Sequence, residues 1–223
     1  MRHESGTGSV SGITSTASPD SMTLPSWAAH LDQKLAPSPL LLVQAFVDTL
    51  DLDLGTDILA HPDEARAWLA DAGLRGGAAP PDGARDPGFA DDLQLAREVR
   101  ETIRAMIGRN TGGEALTSAE LKPVMQVLSQ AQPELEVSAQ GEVSLRAESP
   151  ADGVAKGLLG LLLSIRDAQA DGSWSRLKLC GNTDCRWAFY DRSHSHRGAW
   201  CDMASCGNRL KNRNLRARRA QAS

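Results

Sequence analysis

Five stretches of the chain carry apolar residues at a helical period, and one carries them in alternation. Leu41, Leu42, Ala45, Phe46 and Thr49 predict a helix over 40–50. Over 62–74, Pro62 suits a first turn, Asp63 and Glu64 favour its positive end and Gly73 can close it, with Trp68 and Leu69 facing inward. A joint rich in glycine and proline follows over 73–87. Asp86-Pro87 then caps a helix to about residue 107, with Leu95, Val99, Ile103 and Met106 as its apolar stripe. On its other face Arg97, Arg100 and Arg104 alternate with Glu98 and Glu101, the pattern of a salt-bridged solvent face. Thr117 and Glu120 make a capping-box pattern for a helix to about 131, where Pro123 is tolerable in the first turns. Alternation over 135–137 and 143–145, across Gly141, predicts a β-hairpin. Pro150 opens an apolar helix to about 170, whose Val154, Leu158, Leu161, Leu162 and Ile165 belong to the core. Gly157 and Gly160 would let that helix pack closely.

Residues 1–37 fall outside this pattern. They are rich in Ser, Thr, Gly and Pro and read as a disordered tail, in which Trp27 and Leu31 pack at most locally. Asp48, Asp51, Asp53 and Asp57 crowd the end of the first helix. They could hold a hard cation, but their spacing matches no metal loop, and a solvated helix end is the preferred reading.

Charge divides the chain. The net charge of −4 averages a segment from Arg176 to Arg219, with 11 Lys/Arg against 3 Asp/Glu, and a remainder with 13 against 25. A basic tail on an acidic body points to a polyanionic partner for the tail alone. No run of about 18 apolar residues is present, so no membrane span is expected. The N-terminus lacks the apolar core of a signal peptide, so the expected location is cytoplasmic. No nucleophile–base pair or phosphate-cradling glycine loop stands out, and an enzyme is not expected.

All four cysteines lie in the basic segment, as Cys180-x4-Cys185 and Cys201-x4-Cys206 separated by fifteen residues. Two short pairs joined by a longer loop suit a tetrahedral zinc site. Four thiolates leave no open position, so one structural zinc ion is expected, with an iron–sulfur cluster or a redox switch as alternatives. Strand-like residues 173–179 and 186–190 flank the first pair, and a helix over about 202–218 follows the second. His194 and His196 are expected to be exposed loop residues, and Trp187 and Phe189 to be core. The expected fold is mainly α with a small β-hairpin (α+β). It has a tail (1–37), a mostly helical acidic domain (38–172) and a C-terminal four-cysteine zinc finger of hairpin plus helix (173–223).

The run Cys185-Arg186-Trp187-Ala188-Phe189-Tyr190-Asp191-Arg192-Ser193, then Trp200-Cys201-Asp202-Met203, then Cys206-Gly207-Asn208-Arg209 and Lys211, resembles the CGNR zinc finger. Upstream, Phe46-Val47-Asp48-Thr49 and Trp68-Leu69 to Gly73-Leu74 resemble the ABATE domain, which has Asn more often where Asp48 stands. The resemblance implies a bacterial, DNA-binding transcriptional regulator whose upstream domain senses a stress or a small-molecule effector.

The tail's own chemistry agrees. Arg209, Lys211, Arg213, Arg216, Arg218 and Arg219 fall along one expected helix, with Arg209, Arg213 and Arg216 on one face and Asn212 beside them. Asn208, Asn212 and Asn214 could reach base edges. A homodimer would supply two such contacts. Other readings are a solvated tail, an RNA-binding module, or a protein-interaction module whose arginines meet an acidic partner.

Overall fold

The computed structural model describes residues 24–32, 34–76, 86, 88–150, 153–209 and 211–212. Five helices and three two-stranded antiparallel ribbons follow in the order α1 (Leu40–Val47), β1 (Leu50–Asp51), β2 (Thr56–Asp57), α2 (Pro62–Asp71), α3 (Phe89–Arg109), α4 (Ser118–Gln130), β3 (Gln132–Val137), β4 (Val143–Glu148), α5 (Ala155–Ala170), β5 (Leu177–Leu179) and β6 (Ala188–Tyr190). The mainly helical expectation holds. Among the described residues no helix is long and apolar enough to cross a membrane.

The local signals act as their chemistry requires. Pro62 occupies the first turn of α2 with Asp63 and Glu64. The Leu74 amide donates to the Leu69 carbonyl beyond Gly73, whose φ of +66° closes that helix without strain. The capping box of α4 is complete: the Glu120 amide donates to Thr117 Oγ1 and the Thr117 amide to Glu120 Oε2. Helix α5 passes close to the α2 exit at Gly157, where a Cβ would lie 2.3–2.6 Å from the backbone of Leu74. Gly160 has open space around it and plays no such part.

One apolar core runs from α1 through α2, α3 and α5 and continues into the cysteine-bearing segment, with Leu177, Leu179, Ala188 and Tyr190 in the same cluster. It does not stop at the boundary drawn between residues 172 and 173. Part of the expected tail also belongs to this core. Ala28, Leu31 and Ala36 are buried, and the Trp27 carbonyl accepts a hydrogen bond from the Trp68 indole. The tail as a whole is polar, but its last part, 24–36, is rich in Leu, Trp and Ala, and these residues close the outer side of α1 and α2. The remainder of the tail, residues 1–23, lies outside the described residues.

Two further expectations are corrected. Arg100 and Arg104 do not face solvent; both are buried. Arg100 makes a two-pronged ion pair with Asp57, at 2.6 and 2.9 Å. Arg104 donates to the carbonyls of Val47 and Leu50, capping the free end of α1, and to the carbonyl of Arg186. The alternation with glutamate is real, but these guanidinium groups have better partners on the inside.

The aspartates likewise are not one solvated cluster. Asp57 pairs with Arg100, and Asp51 Oδ1 accepts the amides of Asp53 and Leu54 in the turn between β1 and β2. Asp48 is buried and accepts the Ala188 amide on Oδ1 at 2.8 Å, while its Oδ2 has no hydrogen-bond partner. One turn earlier on α1, Gln44 donates to the Ala188 carbonyl at 3.1 Å. Strand β6 is thus gripped at both backbone groups of one residue by two side chains of α1.

Burial pushes the Asp48 carboxyl well above its ordinary pKa, despite the Ala188 amide and nearby Arg104. The folded state therefore keeps a proton that the unfolded chain loses above about pH 4, and this group costs stability as pH rises. Asp48→Asn copies the protonated acid. It should stabilise the protein by about 1–3 kcal/mol at pH 8 and by less at pH 5. Denaturant titrations of both proteins at the two pH values check this; a pH-independent gap would show that Asp48 is not the titrating group.

Candidate metal centre

The four cysteines come together because two chain reversals meet. The first lies between β5 and β6. The Cys180 amide donates to the Trp187 carbonyl, and the Cys185 and Arg186 amides donate to the Asn182 carbonyl. Pairing of Leu177 with Tyr190 and Leu179 with Ala188 holds the base of this knuckle. The second is the turn Met203–Gly207, where a helix running to residue 218 was expected. It is wound as a π turn, with the Gly207 amide donating to the Asp202 carbonyl five residues back. The turn carries Cys206, and Cys201 lies just ahead of its cap. Asp202 caps the turn, its two carboxylate oxygens accepting the Ala204 and Ser205 amides.

The four Sγ atoms lie within 4.8 Å of one another, with Cys185 to Cys201 at 3.8 Å and Cys201 to Cys206 at 3.7 Å. A tetrahedron with zinc–sulfur bonds of about 2.3 Å has edges of about 3.8 Å, so the donors fit one zinc ion. No histidine or carboxylate belongs to the group. Bound there, the ion would supply the positive charge that lets four thiolates coexist and would tie the turn to the knuckle. Hydrogen bonds from the Cys185 and Cys201 thiols hold Cys180 well below the usual thiol range, and the same bonds push Cys185 and Cys201 up. Three of the four cysteines are buried, and Trp187 and Trp200 pack against them.

The loop between the pairs has its own anchor, which the sequence reading missed. Asp191 is buried and accepts hydrogen bonds from Lys178 Nζ at 2.8 Å, the Ser193 amide at 3.1 Å and the Gly198 amide at 2.7 Å. Burial alone would raise its pKa, but these donors hold it well below the carboxylate range. A side chain at 198 would come within 2.8 Å of that carboxylate, so the glycine is needed there. Lys178 lies on β5 and Asp191 directly follows β6, so the pairing is visible only once the two strands are aligned.

The remaining candidates separate. Trp187 is half-buried and Phe189 fully buried, as expected of core residues, and His194 and His196 are exposed. Lys211 and Asn212 are exposed, in the short helical continuation of the turn. Arg209 donates to both carboxylate oxygens of Asp53, at 2.7 and 2.8 Å, across a depression of about 290 Å³ that also borders Asp32, Asp51 and Asp202. Arg213, Asn214, Arg216, Arg218 and Arg219 lie outside the described residues.

The geometry refines what losing the metal should do. Cys201→Ser should lower zinc content well below one ion per chain and free the turn over 201–207. The hairpin β5–β6 should stay ordered, because α1 grips Ala188 independently of the metal. Elemental analysis with hydrogen exchange tests this. Undiminished metal, or loss of protection at Ala188 together with the turn, would contradict it.

Two family models match the chain. The CGNR zinc finger covers residues 176–219, containing all four cysteines, and ABATE, described as "putative stress-induced transcription regulator", covers residues 40–169. No curated protein matches at a significant level. The ABATE match takes in more than half of the chain and spans the helical core built on α1 to α5, and the finger match spans the thiolate cluster and its hairpin. The chain therefore belongs to the ABATE family and carries a C-terminal CGNR zinc finger.

Proposed function

We propose that the protein is a DNA-binding transcriptional regulator whose basic segment after Cys206 meets the phosphate backbone. The carrying observation is the placement of charge. An excess of eight positive charges lies between Arg176 and Arg219, and the thiolate cluster fixes the point from which the terminal run departs. A rigid origin lowers the entropy lost when the run engages a duplex. The family description points the same way.

An effector would act on the part of the protein that holds the finger. The cleft between the loop after α3 and the knuckle suits that role. Its volume is about 690 Å³, and its lining includes Gly108, Leu179, Gly181, Arg186 and Arg197 and no carboxylate, while the Lys178 ammonium that also borders it is already paired with Asp191. Its chemistry favours an anionic small molecule.

A second reading has its own observation. Arg209 already binds a carboxylate, as it would if the finger were a protein-interaction module seeking acidic surfaces. In the DNA reading, Asp53 occupies Arg209 in the free protein and phosphate takes its place.

A salt series separates the two. With six cations from Arg209 to Arg219 engaged, log affinity for duplex DNA should fall with log salt at a slope of up to about −5. Arg213→Ala and Arg216→Ala should weaken binding to all sequences alike, and Asp53→Asn should strengthen it severalfold at low salt. A flat salt response with zinc loaded would overturn the DNA reading. Weaker binding by Asp53→Asn would show that the pair supports the bound form instead.

A further inference from the structure

The ribbon β3–β4 has an apolar face that, among the described residues, is covered only at its base. Its register pairs Pro133 with Ala147, Leu135 with Leu145 and Val137 with Val143. Because side chains alternate, these six share one face, and Glu134, Glu136, Arg146 and Glu148 take the other. At the base, Ala147 packs against the core, and Leu145 is half-buried. Farther out the same face leaves the body, and Leu135, Val137 and Val143 are 68%, 62% and 64% exposed. An isolated two-stranded ribbon is marginal in water, so an arm of this kind calls for a cover.

The adjoining helix repeats the pattern. Leu121, Met125 and Leu128 stand at i, i+4 and i+7 on α4, each more than two-fifths exposed. The Ser149 hydroxyl donates to the Gln130 carbonyl at 2.9 Å and ties the base of the ribbon to the end of that helix. Six of the nine large apolar side chains exposed among the described residues lie on these two consecutive elements, so the exposed apolar surface is concentrated there.

We infer that this arm is a dimer interface and that its occupant is the same arm and helix of a second copy. Together the two elements expose on the order of 600 Å² of apolar surface, the top of the range for a lone soluble protein. Two copies would bury about 1,200 Å², where specific interfaces begin. The match in charge is equally direct. Outside the segment 176–219 the chain has 25 Asp/Glu against 13 Lys/Arg, so two copies repel over most of their surface. The arm's inner face is uncharged, and a two-fold axis there sets like against like without opposing carboxylates.

The inference does not depend on the DNA reading, and its test contains no DNA. Sedimentation of the zinc-loaded full-length protein between 1 and 100 µM should give twice the chain mass of 23.8 kDa. Leu135→Glu should weaken association at least tenfold while the circular dichroism stays that of a folded protein. Glu134→Lys, on the opposite face, should leave it unchanged. Val143→Ser supplies a second probe with a smaller loss should the charged variant fail to fold. A monomer at 100 µM, or a dimer indifferent to both Leu135→Glu and Val143→Ser, would overturn the proposal.

Discussion

The seating of β6 on the helical body starts from two hydrogen bonds to one residue. Gln44 and Asp48 stand one helical turn apart on α1 and hold the carbonyl and amide of Ala188. A strand of three residues with a single paired neighbour has little hold of its own. These bonds, with the Tyr190 amide on the Lys34 carbonyl and the Arg104 guanidinium on the Arg186 carbonyl, make β6 part of the body. The metal knuckle is built on that strand, so the positions of the cysteines derive from a helix some 140 residues earlier.

Much of this was legible in the sequence, and the rest was hidden for identifiable reasons. Pro62, the Thr117–Glu120 box and the cysteine spacing are local signals, and local geometry is what they specify. The clamp was visible in principle: Gln44 and Asp48 are the polar residues on an otherwise apolar helix, at a spacing that puts them on one face. The first was passed over, and the second was grouped with its acidic neighbours. Arg100 and Arg104 were misplaced because alternation with glutamate describes a solvent face and a buried ion-pair ladder equally well. Only the carbonyls of α1, left free where that helix stops at Val47, distinguish the two. The helix expected over 202–218 opens as a π turn over Met203–Gly207 and is α-helical at 208–209 and 211–212, the remainder lying outside the described residues.

The body is held by polar groups that are individually expensive. Buried Arg100 is tolerated only because Asp57, Thr49 and Glu101 surround it, and truncating one member leaves a charge without compensation. Such an arrangement contributes little net stability but admits few alternative packings. It keeps the loop bearing Asp53 in register with the finger, since Asp57 at the far end of that loop is the residue fixed by Arg100.

The pair between Arg209 and Asp53 means that the finger arrives at its target with a counterion already attached, and one that cannot diffuse away. Exchange of that carboxylate for a phosphate leaves the number of charge pairs on Arg209 unchanged. In the DNA reading proposed above, the freed aspartate would gather mobile cations of its own, which would offset those the nucleic acid gives up. Arg209 would accordingly fix where the finger sits while adding little to the ionic-strength dependence.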